Sequence, residues 1–494
     1  MRILFLNPPH LTGDIYMKEI GRCGRRAVAG EVWPQTGLAY LAAVALQTNS
    51  EARIIDAMAL SYSLEKLLEE ISLFKPDLIV TNTTTPTFDN DVIVFTEIRN
   101  KIPDVILSFT GTHISALPEE SLRKSNADFI FLNEAEETLK DILIKTKEYF
   151  KDTGNKNSTA SNFKNFFLDE IRDVSGIAYL IEDKFYQTSA RPFIDPLDSL
   201  PFPARHLLPN EKYIMPFFEN KPFVTIIPTR GCPWRCIFCR AGKVWGNKVR
   251  TRSIENVLDE IEQIIRDLKI RNVAFMTDSF TLNRKWTLRF LEGILQRNIK
   301  FKWVCNSRVD AADIEMLELM KKAGCRLISY GVESGDQEIL DRAKKGIKLE
   351  SSARAIEMTR KAGIISMAYF ILGLPGETTE TIKRSIEFAK KINPDYANFH
   401  IATPFPGTEL YEIASRNNWL VSDKWCDYEE EGSAVLRTES LTAEDLMKAQ
   451  RMAMRKFYLR PSKLFFEVFS LRSPSQFFSH IKAGLKIFSA LFKK

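Results

Sequence analysis

Three cysteines lie close together in the chain, at a spacing that suits metal chemistry. Cys232, Cys236 and Cys239 follow a C-x3-C-x2-C pattern shortly after the apolar run 223–227. Three thiolates on one short loop can ligate three corners of a cubic iron–sulfur cluster, which normally takes four cysteine ligands. The fourth iron is then open, and it can bind and reduce a substrate. The pattern therefore predicts a [4Fe-4S] cluster with one accessible iron.

A structural zinc site and a disulfide are the alternatives for these cysteines. Zinc takes four ligands, usually as two pairs of cysteine or histidine, and the next cysteine in the chain is the distant Cys305. Three clustered cysteines cannot all pair with one another. Both alternatives are therefore weaker than the cluster.

The cysteine loop resembles that of the radical S-adenosylmethionine superfamily. Residues 229–231 (Thr-Arg-Gly) precede it, and the aromatic Phe238 stands directly before the last cysteine. The resemblance implies that the open iron chelates the amino and carboxylate groups of S-adenosylmethionine. It also implies cleavage to a 5′-deoxyadenosyl radical and contact between Phe238 and the adenine.

Strand and helix patterns alternate from residue 223 onward and predict a partial parallel (β/α)6 barrel. The predicted strands are 223–228, 272–277, 301–306, 327–332, 366–372 and 396–402. A barrel of this kind places its working residues at the carboxyl ends of the strands. The cysteine loop follows the first strand, in agreement with that rule.

The ends of the second and third barrel strands carry further candidates. Asp278 ends the second strand, and Ser307 and Arg308 end the third. The resemblance implies that Asp278 lies at the amino group of S-adenosylmethionine, with Ser307 and Arg308 at the cofactor as well. Arg308 can bind the cofactor's carboxylate through two parallel hydrogen bonds. The alternative for Arg308 is an ordinary salt bridge at the barrel mouth.

The next two strand ends match the superfamily closely. Residues 330–335 match its G-I-E-S-G element, which implies that Glu333 and Ser334 contact the cofactor. Because an unpaired carboxylate in an apolar strand end is costly, Glu333 is expected to pair with Arg308 or with ribose hydroxyls. Residues 370–377 are a second match, in which Gly373 lets the backbone approach the adenosyl group.

Residues 1–145 also alternate strand and helix patterns, which predicts a Rossmann-like parallel sheet covered by helices. The predicted strands are 2–6, 52–55, 77–80, 105–109 and 129–132. Ligands of such sheets bind outside the carboxyl ends of the strands. No G-x-G-x-x-G follows the first strand, so the dinucleotide fingerprint is absent.

This half resembles the cobalamin-binding domain of cobalamin-dependent radical S-adenosylmethionine enzymes. The resemblance is carried by segments 7–9, 83–85, 111–113 and 134–136, and it departs from the family where Thr110 and Ala135 replace the usual glycines. It implies that the following residues contact cobalamin: Asn7, Pro9, His10, Thr83, Thr84, Gly111, Thr112, His113 and Glu134.

His10 begins an H-x-x-G sequence, as in domains whose histidine ligates cobalt from below. Pro8 stands where those domains have an aspartate, and a carboxylate normally orients a metal-bound histidine. A loop histidine is therefore the stronger interpretation of His10. His113 is expected to line the cobalamin pocket or to occupy a plain loop position.

The chain is expected to divide into four segments. These are a cobalamin-binding domain (1–145), an insertion, hairpin and linker (146–210), the barrel (211–435) and a helical, basic C-terminal extension (436–494). The polar stretch 147–164 is expected to be exposed. Cys305 is expected to be a small buried hydrophobe, with a role near the substrate as the alternative.

The C-terminal segment changes in character. Residues 443–458 predict a helix, with Thr442 as its N-cap ahead of two acidic residues. From residue 451 onward the sequence has ten lysines or arginines and one acidic residue, with phenylalanines interspersed. Residues 483–494 are basic and amphipathic and could lie on an anionic membrane surface. The alternative is a helical cap on the barrel with its phenylalanines inside. A surface-bound tail would suit a lipid-like substrate.

Composition limits the other possibilities. A net charge of +6 over 494 residues does not favour nucleic acid as a partner. Cysteines without a pairing pattern imply a reducing compartment. No apolar run of 18 residues or more is present, so no spanning helix is expected. A cytoplasmic protein with peripheral membrane contact through the tail is expected, and nothing indicates its oligomeric state.

The two resemblances together imply an anaerobic cobalamin-dependent methyltransferase. One S-adenosylmethionine would methylate the cobalt, and another would give the radical that removes hydrogen from an unactivated carbon. That carbon would then take the methyl group from methylcobalamin. The expected partners are a small-molecule or lipid-like substrate and a reductant such as flavodoxin or ferredoxin. The alternatives are an oxidative cyclase of the anaerobic porphyrin ring-closure type and a non-enzymatic cobalamin or cluster sensor.

Overall fold

The computed structural model describes residues 1–19, 24–27, 30–152, 160–430, 433–461 and 463. The chain forms two compact units. The first comprises Met1–Arg26, Val32–Tyr213 and Lys243–Gly246, and the second Ala27–Glu31, Ile214–Gly242 and Asn247–Lys494. Segment 146–210, predicted as an insertion, hairpin and linker, therefore packs with the first unit.

The first unit is built on a seven-stranded sheet in the order β4-β1-β5-β6-β7-β8-β9. Neighbouring strands are parallel from β4 to β7, whereas β8 and β9 are antiparallel. The strands of the unit are β1 Arg2–Asn7, β2 Tyr16–Met17, β3 Arg25–Arg26, β4 Glu51–Asp56, β5 Leu78–Thr83, β6 Ile106–Gly111, β7 Phe129–Phe131, β8 Ile177–Ile181 and β9 Lys184–Gln187. Strands β2 and β3 form a separate two-stranded sheet. The predicted α/β class is confirmed.

The helices of this unit follow the strands in alternation. They are α1 Thr36–Gln47, α2 Leu64–Phe74, α3 Phe88–Lys101, α4 Thr112–Ala116, α5 Pro118–Lys124, α6 Glu136–Asp152 and α7 Ala160–Glu170. Helix α2 shows why these segments form helices. The Ser63 hydroxyl caps its first turn by accepting a hydrogen bond from the Lys66 amide, and Leu67 and Ile71, one turn apart, are buried.

Helix α7 begins at Ala160, within the stretch 147–164 that was predicted to be exposed, and Phe167 lies beyond that stretch. Phe167 is buried, and its ring centroid lies 6.1 Å from that of Phe129 in β7. Polar residues around Phe167 in the sequence give no pattern that predicts this burial. Residues 153–159, in the middle of the predicted insertion, lie outside the described residues.

The second unit contains a six-stranded parallel sheet in the order β12-β15-β16-β17-β18-β19. Its strands confirm the predicted partial barrel. The strands from residue 214 onward are β10 Ile214–Met215, β11 Lys221–Pro222, β12 Val224–Ile226, β13 Thr229–Arg230, β14 Arg250–Thr251, β15 Asn272–Phe275, β16 Lys302–Ser307, β17 Cys325–Glu333, β18 Ile365–Leu372 and β19 Tyr396–Ile401.

Helices connect the strands of this sheet. Those from residue 241 onward are α8 Ala241–Val244, α9 Ile254–Asp267, α10 Arg284–Gln296, α11 Ile314–Lys322, α12 Gln337–Arg342, α13 Leu349–Lys361, α14 Thr379–Ile392, α15 Glu409–Arg416 and α16 Ala443–Tyr458. Strand β18 shows how the layers divide. Ala368 and Phe370 are buried in the main core with the helices, whereas Met367, Tyr369 and Ile371 alternate with them and stay partly exposed.

Helix α16 is the predicted helix 443–458, and its predicted N-cap Thr442 is confirmed. The Thr442 hydroxyl accepts a hydrogen bond from the Asp445 amide, and Leu446 and Phe457 enter the barrel core. Residues 464–494, which include the predicted cap and the amphipathic stretch 483–494, lie outside the described residues. Within the described ranges, none of the helices has the length and apolar character needed to cross a membrane.

Candidate functional site

The cysteine loop lies at the carboxyl end of β12. The short ladder of β13 with β14 leads into it, and Gly231 follows with a φ of +97° that favours glycine. Cys232 and Cys236 are half-buried, and Cys239 is exposed. The three predicted ligands are therefore presented from one loop.

An apolar anchor fixes this loop without using the cysteines. Ile237 is buried in a cluster with Leu374 and Leu410. Its amide donates to the carbonyl of Ala343 at 3.1 Å, and its carbonyl accepts from the amide of Leu410 at 2.8 Å. Phe238 packs half-buried against the same cluster, and its contact with adenine stays a prediction.

The donor set suits an iron–sulfur cluster. Burial raises the pKa of the Cys232 and Cys236 thiols, while Lys345 and Arg308 act on Cys236 in the opposite direction. Among the described residues no three His, Cys, Asp or Glu side chains converge to hold a single metal ion. A cubic cluster takes its thiolates at separate corners, so the cysteines need not converge on one point. Nearby cations would stabilise the bound thiolates.

Arg308 is held by the chain itself. Its guanidinium makes a bidentate pair with Asp310 at 3.0 and 2.9 Å and donates twice to the Lys345 carbonyl at 3.1 Å. Its planar group also lies 3.9 Å from the ring centroid of Trp234, in the cysteine loop. This is the ion pair that the sequence left as the alternative. Its binding of a cofactor carboxylate stays a prediction.

Glu333 takes Lys345 as its ion-pair partner, and the predicted pairing with Arg308 is wrong. The Glu333 Oε1 to Lys345 Nζ distance is 2.6 Å, and both side chains are buried. A register irregularity between Gly331 and Glu333 bends β17, and Glu333 has a φ of +65°. Such strain in a non-glycine residue is typical of functional sites.

Lys345 was missed from the sequence, although one indication was present. A carboxylate predicted in an apolar strand end requires a cation, and a Lys-Lys pair follows 12 residues after Glu333. Burial alone would lower the pKa of Lys345, but the negative charges of Glu333 and of the Cys236 thiolate together raise it. Lys345 is therefore a charged lysine within the site.

The predicted serines have structural partners. The Ser307 hydroxyl hydrogen-bonds with Thr281 and also donates to the Arg308 carbonyl at 3.1 Å. The Ser334 hydroxyl lies 3.1 Å from that of Ser385. Asp278 is half-buried, and its charge raises the pKa of the Cys232 thiol. The loop after β15 and the end of β16 are therefore joined, and Asp278 of that loop lies near the cysteine loop.

Gly373 and Glu377 form a compact turn after β18. The Glu377 carboxylate accepts hydrogen bonds from the Gly373 and Leu374 amides. Gly373 has a φ of +97°, and a Cβ there would lie 2.9 Å from Leu446 of α16. Burial raises the pKa of Glu377 to about 8. The glycine is therefore required by its backbone and by helix packing.

Cys305 belongs to the hydrophobic core and not to the inner face of the barrel. Cys305 is buried in the core beside Cys325, as the ordinary interpretation predicts, and burial raises its pKa well above the usual value. The inner face instead carries the stacked rings of Tyr369 and His400, with centroids 5.4 Å apart. His400 Nδ1 lies 3.9 Å from a carboxylate oxygen of Glu430. The sequence did not single out this pair.

The strand ends of the first unit form a polar edge. The Asn7 amide donates to Asp56 at 2.8 Å. At Gly111 (φ +130°) an added Cβ would lie 2.1 Å from the Thr83 carbonyl oxygen. Among the described residues, the buried hydroxyl of Thr83 at the end of β5 has no hydrogen-bond partner. A buried hydroxyl without a partner at the carboxyl ends of parallel strands fits a ligand with many amide groups, such as cobalamin.

The other predicted cobalamin contacts are buried at the same edge. The His113 ring packs on Phe88 at 4.4 Å, and its Nδ1 lies 3.3 Å from the Thr85 hydroxyl. Thr112, at the start of α4, is also buried. The Glu134 carboxylate accepts from the Ile194 amide at 2.7 Å. Thr84 lies against Gly24, where an added Cβ would be 2.2 Å from the threonine hydroxyl. Their contacts with cobalamin stay predictions.

Hydrogen bonds that the sequence did not predict hold the His10 ring and the backbone beside it. Its Nδ1 lies 2.7 Å from the Thr12 hydroxyl, which donates to Asp14 at 2.5 Å. Burial lowers the pKa of His10. The buried Asn90 brackets the histidine by accepting from Leu11 N and donating to the Pro9 carbonyl. Ligation of cobalt by His10 stays a prediction.

Comparisons with known proteins agree with this geometry. The family model of the Radical SAM superfamily matches residues 226–389, and that of the B12 binding domain matches residues 23–143. An uncharacterized methyltransferase of Pyrococcus horikoshii is 31% identical over 470 residues, covering 95% of each chain. The anaerobic magnesium-protoporphyrin IX monomethyl ester cyclase of Rubrivivax gelatinosus is 30% identical over 418 residues, which cover 83% of this chain and 70% of the cyclase.

Solved structures share the fold. The radical S-adenosylmethionine methyltransferase TsrM of Kitasatospora setae, with tryptophan and a cofactor analogue bound, superposes with a TM-score of 0.68 at 16% identity. The match covers 93% of this chain and 90% of TsrM. The cobalamin-dependent S-adenosylmethionine radical enzyme OxsB, with aqua-cobalamin and S-adenosylmethionine bound, gives a TM-score of 0.70 at 15% identity, covering 99% and 71%.

Proposed function

This chain belongs to the cobalamin-dependent radical S-adenosylmethionine enzymes, and we propose that it methylates an unactivated carbon of a small-molecule or lipid-like substrate. The observation that carries the proposal is the likeness to a methyltransferase along the whole length of both chains, 95% of each. A match of that extent includes the sheet edge of the first unit and the cysteine loop of the second.

Each unit would bind different cofactors. When bound, the three cofactors supply an electron, an adenosyl radical and a methyl-carrying cobalt. Cys232, Cys236 and Cys239 would hold the cluster. The strand ends at Asp278 and Glu333 would orient S-adenosylmethionine, and the polar edge of the first unit would hold cobalamin. Orientation of bound groups is the main contribution that the chain makes to such a reaction.

An oxidative cyclase is the second candidate, supported by the 30% identity to the anaerobic cyclase. That match covers 70% of the cyclase, whereas the match to the methyltransferase covers 95% of the relative. The difference in coverage favours methyl transfer.

Two partners follow from the proposal. A one-electron donor such as flavodoxin or ferredoxin would reduce the cluster. The basic tail would contact an anionic membrane and so bring the enzyme to a lipid-like substrate. Deletion of residues 484–494 is then expected to reduce binding to anionic liposomes. An intact protein that does not bind such liposomes would contradict the membrane contact.

The products formed by the reconstituted protein test the proposed function. With a [4Fe-4S] cluster, cobalamin, a reductant, S-adenosylmethionine and cell extract, a methyltransferase forms both S-adenosylhomocysteine and 5′-deoxyadenosine. A cyclase forms 5′-deoxyadenosine without S-adenosylhomocysteine, and a sensor forms neither. The variant C236A, lacking a cluster ligand, is the control for the extract, because it should form no 5′-deoxyadenosine.

A further inference from the structure

Lys345 is a buried cation to which neither the sequence nor the proposed reaction gives a role. It is 7% exposed and follows helix α12, where its amide donates to the Leu340 carbonyl at 3.0 Å. Its Nζ lies 2.6 Å from Glu333 Oε1. A lysine is rarely buried unless it is paired, so the ion pair accounts for its charge there.

The backbone beside Lys345 is locked to the cysteine loop. The Lys345 carbonyl accepts two hydrogen bonds from Arg308, both 3.1 Å, and Arg308 stacks on Trp234 of the loop. A Cβ added at Gly346 would lie 3.1 Å from the same tryptophan ring. Ala343, two residues earlier, accepts the hydrogen bond from the Ile237 amide. These contacts hold the backbone at Lys345 against the cysteine loop, beside the residue that follows Cys236.

The charge of Lys345 acts on a cysteine of the loop. It opposes the rise that burial causes in the pKa of the Cys236 thiol and so favours the thiolate. Lys345 is buried and Cys236 is half-buried, so solvent and salt screen the interaction less than they screen a pair of exposed charges. Gly331 makes room for the pair, since a Cβ there would lie 2.3 Å from Glu333 Oε1 and 2.6 Å from Lys345 Nζ.

We propose that Lys345 is a positioning residue that holds Glu333 at the barrel mouth and raises the reduction potential of the cluster by placing a positive charge beside its Cys236 corner. Reduction adds one negative charge to the cluster, and a fixed cation in a poorly screened site stabilises the reduced form. The inference rests on the cluster and not on methyl transfer, so the two can fail separately.

A redox titration of the reconstituted full-length protein, followed by electron paramagnetic resonance of the reduced cluster, tests the proposal. K345M is expected to make reduction about tenfold less favourable, a midpoint about 59 mV more negative for a one-electron couple. K345R keeps the charge and should stay near the wild type. E333Q removes the opposing charge and should shift the midpoint in the positive direction.

Lys344 supplies a matched control one residue away. Its ammonium pairs with Glu409 at 2.7 Å, and its side chain is 54% exposed. K344M makes the same change of charge in solvent, so the reduction equilibrium should change by less than about twofold because exposed charges are well screened.

K345M leaves the Glu333 carboxylate buried without its partner and can fold poorly for that reason. Two further outcomes test the role of Lys345 in that case. The double variant K345M/E333Q keeps the site neutral and should still have a more negative midpoint than the wild type, since the proposal places the positive charge of Lys345, and not the negative charge of Glu333, beside Cys236. A double variant with full iron content and an unchanged midpoint would overturn the proposal. So would an equal shift in K344M and K345M.

Discussion

The Tyr213 hydroxyl donates a 2.9 Å hydrogen bond to the carboxylate of Asp56, a residue 157 positions earlier in the chain. Asp56 ends β4 and also receives the Asn7 amide at 2.8 Å and the Ala59 amide at 3.1 Å. Burial raises the pKa of both Asp56 and Tyr213. Tyr213, which ends the segment Val32–Tyr213 of the first unit, therefore binds the strand ends that carry the predicted cobalamin contacts.

Removal of this donor should destabilise the first unit. The variant Y213F leaves a buried carboxylate with one hydrogen bond fewer, which costs about 1–3 kcal/mol. Thermal unfolding of the purified protein would show this as a lower midpoint. The half-buried Tyr186 of β9, which stacks on Tyr179, provides the comparison. Equal midpoints for Y213F and Y186F would contradict a stabilising role for the hydrogen bond.

Glu377 should make stability depend on pH. Its pKa in the folded protein is about 8, above the ordinary value of 4.5. Because its pKa is raised on folding, Glu377 contributes to the free energy of unfolding fully below about pH 4.5, and this contribution is lost as the pH rises through 8. In E377Q this loss should be absent, so the free energy of unfolding should fall less between pH 5 and pH 9 than in the wild type. Urea unfolding at the two pH values measures it.

The exposed Glu380, at the first turn of α14, is the matched control for that experiment. E380Q should keep the pH dependence of the wild type. If E377Q kept it too, another group would have to be its source.

Gly111 should be irreplaceable at the edge of the first unit. In G111A the new Cβ would lie 2.1 Å from the Thr83 carbonyl oxygen, so the ends of β5 and β6 must separate. Cobalamin bound per chain, measured by absorbance after reconstitution, should fall several-fold. The variant G363A carries a similar backbone strain (φ +70°) but has no contact shorter than 3.8 Å, and its cobalamin content should not change. Full cobalamin binding by G111A would show that this edge is not the cobalamin site.

The three loop cysteines should be required together for iron. Replacement of any one of Cys232, Cys236 or Cys239 by alanine leaves two ligands on the loop, and iron content after anaerobic reconstitution should fall to a small fraction of the wild type. Cys426 is also exposed but lies outside the loop, so C426A should retain its iron. Equal iron in C236A and C426A would refute the assignment of the cluster.

The parts of the fold that local sequence carries were predicted correctly. The six barrel strands, the place of the cysteine loop after the first of them and helix α16 each have a pattern within a few neighbouring residues, such as the Thr442 cap ahead of Asp445. The pairing of Glu333 with Lys345 in place of Arg308 was not predicted, because it depends on the bend in β17 and on the path of the chain after α12. The place of the β8–β9 hairpin in the first sheet and the burial of Phe167 likewise depend on contacts between distant segments.

The fate of the methyl group of S-adenosylmethionine tests the central claim most directly. The reconstituted protein would be incubated anaerobically with cell extract, a reductant and S-adenosylmethionine carrying a trideuterated methyl group, and the products examined by mass spectrometry. Methylation predicts a new product heavier by the intact labelled methyl group, formed together with 5′-deoxyadenosine and absent with C236A. Formation of 5′-deoxyadenosine with an unlabelled, ring-closed or oxidised product would contradict methyl transfer.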